Sequence, residues 1–273
     1  MKKIAVVNDL SGFGKCSLSV ALPIISAMGL ECSALPTAIL SNQTGFDSFY
    51  CKSFTEFLPE YIAEWKKMNV SFDAILTGYM ADAKQVETIS NFIDDFRNDD
   101  TLVFVDPVMA DDGVLYDTYD NELCEKVIAL TKKANVIAPN LTELCILCGA
   151  NYNEVIKHPE YIGELASTLL SETTKIVIVT GIKSDAEISN LIVEKSGSSI
   201  VSSEFLSGGY SGTGDIFSSV VCGGITKGMS VFDAVTLATN FIYCSIMDTP
   251  TTLTYEPDGV NFQKHLEMLI NAK

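Results

Sequence analysis

Leu102-Val103-Phe104-Val105-Asp106-Pro107 holds in six residues the pattern that decides the fold: four apolar residues, then a carboxylate and a proline that end the run. So short an apolar run, closed by turn formers, reads as a strand buried on both faces of a sheet. The same form recurs outward in both directions. Toward the N-terminus strands are predicted at Ala74–Gly78, Cys32–Thr37 and Ile4–Val7, and toward the C-terminus at Val136–Ala138, Lys175–Thr180, Ile188–Val193 and Ser199–Phe205. Amphipathic stretches separate them, predicting helices at Ser17–Met28, Glu56–Met68, Ala83–Asp95, Glu122–Thr131, Leu141–Cys148 and Glu160–Leu170. Three more helices are predicted at Gly214–Lys227, Ser230–Thr249 and Asn261–Asn271. This alternation describes βαβ units and a mostly parallel sheet. Only Lys195-Ser196-Gly197-Ser198 separates the last two strands, which therefore read as an antiparallel hairpin. With no repeat and no Pro/Gly/Ser-rich linker, residues 1–273 read as a single α/β domain.

The composition, 47% apolar and 19% charged, is that of a well-buried globular enzyme. Eighteen basic residues against 35 acidic ones give a net charge of −17, which repels phosphate backbones and anionic lipid surfaces and argues against nucleic-acid and membrane roles. Any phosphate site must then be built locally, from backbone N–H groups, helix N-termini, a few cations and metal. Behind Met1-Lys2-Lys3 the apolar run ends at Val7, too short for a signal peptide, and no run approaches the roughly 20 apolar residues of a membrane span. A cytoplasmic protein with eight reduced cysteines is the expectation. Cys145 and Cys148 form a C-x-x-C, but there is no second pair and His158 and His265 lie elsewhere, so they read as core.

Ligands of an open α/β sheet gather at the carboxyl ends of its strands, here Asn8-Asp9, Gly78-Tyr79, Asp106-Pro107, Pro139-Asn140 and Thr180-Gly181. The strongest local signal lies beyond them, in Gly208-Gly209-Tyr210-Ser211-Gly212-Thr213-Gly214-Asp215, which runs straight into a predicted helix. Glycines free the backbone N–H groups to converge on an anion, the helix dipole favours negative charge there, and Asp215 stands where it could take a proton from an attacking hydroxyl. Taken alone, the segment could equally be a flexible loop whose Asp caps a helix. Gly12-Phe13-Gly14-Lys15-Cys16-Ser17 is not a Walker loop, having Asp9 and Cys16 where a glycine and a hydroxyl residue are required, and it lacks the third glycine of a dinucleotide fingerprint. Asp106 could face metal-bound phosphate or bond its own turn. Asn140 and Glu143 could face a hydrated Mg²⁺ or form a capping box. Tyr79 could wall an aromatic substrate or simply pack.

Taken together, Ser41-Asn42-Gln43-Thr44-Gly45, Thr77-Gly78-Tyr79, Asp106-Pro107-Val108-Met109, Pro139-Asn140-Leu141-Thr142-Glu143, Val179-Thr180-Gly181 and Gly212-Thr213-Gly214-Asp215 resemble, in order, the ribokinase superfamily and within it the pyridoxal (pyridoxine, pyridoxamine) kinase branch. The resemblance implies a three-layer α/β/α fold, ATP with Mg²⁺, a monovalent cation such as K⁺, and a homodimer. It implies phosphorylation of the 5′-hydroxymethyl group of a vitamin B6 vitamer, with Asp215 as base and Gly212, Thr213 and Gly214 as the anion hole. Asp106, Asn140 and Glu143 match the metal and phosphate region, with Asn140 and Glu143 reaching the metal through water. Thr180, Lys183 and Asn240 match the ATP side, and Asn8, Ser11, Gln43, Thr44 and Tyr79 the substrate side. Two positions depart from the pattern: Gln43 stands where many relatives have His, and Ala138 where some have a Thr that could bind the monovalent cation. Hydroxymethylpyrimidine kinases of the same superfamily are the nearest alternative, and some use cysteines where this chain has Asp111 and Asp215. A non-catalytic protein binding nucleotide or pyridine is the rival from another class.

Overall fold

The computed structural model describes residues 1–249 and 255–272. Its strands are β1 (Lys3–Ser11), β2 (Glu31–Leu40), β3 (Cys51–Ser53), β4 (Ala74–Thr77), β5 (Leu102–Val105), β6 (Ala110–Asp111), β7 (Val114–Leu115), β8 (Val136–Ile137), β9 (Ile176–Lys183), β10 (Glu187–Glu194), β11 (Gly197–Glu204), β12 (Gly209–Tyr210) and β13 (Tyr255–Glu256). The helices are α1 (Ser17–Ala27), α2 (Leu58–Lys67), α3 (Ala83–Phe96), α4 (Asn121–Thr131), α5 (Leu141–Cys148), α6 (Tyr152–Val155), α7 (Ile162–Thr168), α8 (Thr213–Lys227), α9 (Val231–Met247) and α10 (Leu266–Ile270). Among the described residues one sheet takes the order β11-β10-β9-β8-β5-β4-β1-β2-β3. It is parallel from β9 through β2, with β3, β10 and β11 antiparallel at the edges.

Alternation along the strands sorts the core into two layers. Ala5, Val7, Ile75, Val103 and Val105 point to one face and pack against α2, α3, α4, α5 and α7. Ile4, Val6, Leu76 and Phe104 point to the other and meet α1, α8 and α9. With helices on both faces the parallel strands can be apolar throughout, as Leu102–Val105 is. The three-layer α/β/α sandwich and the β10–β11 hairpin are as the sequence predicts.

Helix starts follow local chemistry. Asp82, Asp120 and Ser230 each accept a hydrogen bond from the backbone N–H three residues on, which ends the chain's extended run and begins α3, α4 and α9. The predicted helix over Glu160–Leu170 is shorter, because Pro159 opens a 3₁₀ turn to Tyr161 and the α-helix starts at Ile162. The C-terminal helix is likewise divided, into a 3₁₀ turn over Phe262–His265 and the short α10.

Candidate active site

The site starts from Asn8 and Asp9 near the end of β1, where the register against β2 slips between Asn8 and Leu10. The two are consecutive, yet both side chains are buried. Asn8 is a hub: its Oδ1 accepts from the N–H groups of Asp9 and Tyr79, each at 3.0 Å, and its Nδ2 donates to Asp215 Oδ1 at 2.9 Å. Gly78 is glycine because this hub leaves no room beside it; a Cβ there would come within 2.6 Å of Asn8 Nδ2. Asp9 accepts from the hydroxyls of Ser11 and Ser17, and burial raises its pKa.

Asp215 lies in the first turn of α8, whose N-cap, Gly212, has φ +77°. Only glycine fits there: the conformation is left-handed, and a Cβ would overlap the carbonyl oxygen of Lys15. Gly214 differs, since a Cβ on it would meet nothing within 4 Å. Packing does not demand a glycine at 214, and the missing side chain leaves the N–H groups of the helix start uncovered. Thr213 turns its hydroxyl back onto the Tyr210 carbonyl. Burial raises the pKa of Asp215 to about 6, the charge of Asp9 adds to the shift, and hydrogen bonds from the Ser17 N–H and the Asn8 amide oppose it.

Asp106 follows β5 and accepts from Ser218 Oγ on α8 at 2.7 Å. Burial raises its pKa, and the neighbouring Asp215 adds to the rise. Glu143 is buried, and burial followed by the charge of Asp106 raises it well above the usual carboxylate range. Asn140 and Glu143 do form a capping box: Glu143 N–H donates to Asn140 Oδ1, and Asn140 N–H to Glu143 Oε2. Glu143 Oε1 also accepts from Met109 N–H at 3.0 Å, and Asn140 Nδ2 donates to the Ala110 carbonyl, so the pair ties α5 to the segment after β5. Thr180 N–H donates to the Pro139 carbonyl and brings β9 alongside.

The structure thus gathers Asn8, Ser11, Asp106, Asp215 and the Gly212–Gly214 turn around the ends of β1, β4 and β5. Tyr79 joins through its backbone, its ring meeting Tyr119 edge-on at 6.3 Å. Gln43 is buried with its amide committed to the Pro257 carbonyl and the Gly45 N–H, so it pins the 43–45 turn rather than presenting a free amide. Thr44 is exposed beside it. Lys183 is exposed at the end of β9, 3.5 Å from Asp112. Asn240 lies on the exposed side of α9, and its neighbour Thr239 accepts from Asn190, whose amide oxygen takes the Gly181 N–H. Ser17, Asn190 and Ser218 have no role in the sequence reading, and Thr77 enters it only as the first residue of Thr77-Gly78-Tyr79; a polar residue inside an apolar run, such as Thr77 after Ala74-Ile75-Leu76, is the signal that points to it. Among the described residues no three His, Cys, Asp or Glu side chains converge as a metal cage, and no helix is long and apolar enough to cross a membrane.

A parallel sheet with antiparallel edges, and a helix opening on Gly-Thr-Gly-Asp over its carboxyl ends, define the ribokinase-like class of small-molecule kinases. Within that class the chain belongs to the phosphomethylpyrimidine kinase family, whose sequence pattern matches residues 22–257. Its fold superposes with a TM-score of 0.93 on a Bacteroides thetaiotaomicron protein provisionally described as a phosphomethylpyrimidine kinase and crystallised with pyridoxal; the two are 39% identical over 98% of this chain and 95% of that one. A pyridoxal kinase from Lactobacillus plantarum gives 0.90 at 27% identity, covering 98% of this chain and 96% of its own. Among curated proteins, the pyridoxine/pyridoxal/pyridoxamine kinase of Bordetella avium is 25% identical across 84% of this chain and 79% of its own length.

Proposed function

We propose that this protein transfers the γ-phosphoryl group of ATP to the 5′-hydroxymethyl group of a vitamin B6 vitamer. The observation that carries the reading is Asp215: a carboxylate in the first turn of a helix, held by Asn8 and the Ser17 N–H, beside an anion-ready glycine turn. A carboxyl raised to about 6 is a competent general base near neutral pH. It takes the proton of the acceptor hydroxyl while the N–H groups of the Gly212–Gly214 turn hold the migrating phosphoryl group in line. Binding of pyridoxal by the Bacteroides protein, the solved relative with 39% identity, supports a pyridine acceptor. In this reading Ser11, Gln43, Thr44 and Tyr79 shape the acceptor side, and Asp106, Thr180, Lys183 and Asn240 the nucleotide side.

The donor set fits Mg²⁺ held through water and substrate phosphates rather than in a protein cage. Asn140 makes one hydrogen bond through each end of its amide, and Glu143 accepts backbone N–H groups on both carboxylate oxygens, so their remaining lone pairs suit water better than a naked ion. Bound there, the ion would neutralise phosphate charge. The Ala138 side chain is buried and offers no oxygen to a monovalent cation, so K⁺ bound at that position would rest on backbone carbonyls or neighbouring side chains.

Hydroxymethylpyrimidine is the second reading, favoured by the family to which the chain belongs. An ADP-release assay with pyridoxal, pyridoxine, pyridoxamine, hydroxymethylpyrimidine and ribose, run with and without K⁺, separates the two. Turnover on a B6 vitamer is expected. A preference for hydroxymethylpyrimidine moves the chain to the second reading, and turnover on ribose alone overturns both. Asn8→Ala is expected to lower kcat about 10–100-fold with KM for ATP little changed, because it frees the base while leaving the nucleotide side intact. Steady-state kinetics on the preferred vitamer check it.

A further inference from the structure

Thr77 ends β4 with its side chain wholly buried, yet its hydroxyl has no hydrogen-bond partner among the described residues. Native interiors seldom leave such a group unpaired, and an ordered water is the common remedy. Thr77 lines a small cavity with Asn8, Asp106, Asp215 and Ser218, closed on its apolar side by Val6 and Ala21. The cavity leaves about 10 Å³ for the centre of a water molecule, enough for one. Its walls supply the roughly two to four polar partners that a buried water needs. Asp215 Oδ1 is already bonded to Asn8, and Asp106 Oδ2 to Ser218, but each carboxylate keeps further acceptor capacity.

We propose that Thr77 is a positioning residue for Asp215, acting through a single buried water that accepts from the Thr77 hydroxyl and donates to Asp106 and Asp215. With both carboxylates ionised, they accept both hydrogens of the water, so the third partner donates, and a threonine hydroxyl can. Without the bridge the two carboxylates line the same cavity, one bonded to Ser218 and the other to Asn8, with nothing linking them. With it, Asp215 is held from behind, and its remaining lone pairs face the acceptor hydroxyl. Aspartates bear on Asp215 from two elements, Asp9 in β1 and Asp106 after β5, so the base is sensitive to any donor removed between them. The catalytic consequence rests on the function proposed above; the water itself does not.

Thr77→Val keeps the shape of the side chain and removes only its hydroxyl. The expected result is a kcat lower by about tenfold, KM for both substrates within about twofold, and the acidic limb of the kcat profile moved to higher pH. Thr77→Ser should restore all three. High-resolution crystals of the unaltered protein should show one water peak among Thr77, Asp106 and Asp215. An empty cavity in that density, a Thr77→Val variant with unchanged kcat and pH profile, or one more heat-stable than the parent, as removal of a truly orphaned hydroxyl would make it, overturns the proposal. Should the unaltered protein phosphorylate none of the tested acceptors, the functional reading falls, while density and thermal unfolding still decide the water.

Discussion

Asp215→Asn is expected to fold, to bind nucleotide and to lose turnover by about 10²–10⁴-fold, the range a positioned general base contributes. Single-turnover kinetics check it, and near-normal turnover would remove Asp215 from the mechanism. The same residue gives a pH dependence of definite sign. Turnover needs the unprotonated carboxylate, so it should fall as pH drops through about 6. Stability runs the other way. The folded chain holds this proton more tightly than the unfolded chain, whose carboxyl titrates near 3.8, so stability is lost as pH rises from 3.8 to about 6. Asp215→Asn, which stays neutral, should therefore be the more heat-stable protein above pH 6, by about 1–2 kcal/mol once partial solvent access is allowed for, and match the parent in acid. Thermal unfolding at both ends of that window checks the sign, since asparagine caps a helix start about as well as aspartate and the variant changes only the charge.

Gly212→Ala and Gly214→Ala should part company although they stand two residues apart. At 212 the methyl group meets both a positive φ and the Lys15 carbonyl, so a loss of about 2–4 kcal/mol is expected, with turnover lost alongside. At 214 the same methyl enters open space and replaces glycine inside a helix, so stability should hold or rise slightly. Turnover should still fall, because the methyl stands where phosphate would approach the N–H groups. Chemical denaturation beside an activity assay tests the pair. Equal stability losses would mean that the turn is built for packing alone.

The strands were legible where burial is two-sided, because Ile4–Val7, Ala74–Gly78 and Leu102–Asp106 have no competing reading. They were illegible where the chain pairs only at an edge. β3 is three residues long with Cys51 and Lys52 exposed, and β6 and β7 are two residues each, too short to carry a period. The polar residues at strand ends point to the end of the sheet where Asn8, Asp106 and Asp215 converge, and Gly212–Asp215 to the helix that closes over it. What sequence could not provide is the use of each polar atom. Gln43 offers an amide on paper, and the fold spends both ends of it on backbone. Asn140 and Glu143 satisfy the capping pattern and sit near Asp106 at once, a coexistence that no spacing rule can decide. Thr77 and Ser218 look like minor polar interruptions of apolar runs until the sheet and α8 bring them to one cavity.

The hydrogen bond from Asn8 to Asp215 joins residues 207 positions apart, and Ser218 reaches back 112 positions to Asp106. Contacts so remote are late to form, because the intervening chain must be ordered before they can hold. A nascent chain that has made β1, β4 and β5 owns most of the polar residues and none of the geometry. Chemistry therefore should appear only when α8 docks, in a single step rather than by degrees, and partly folded chains should have no residual turnover with which to consume ATP.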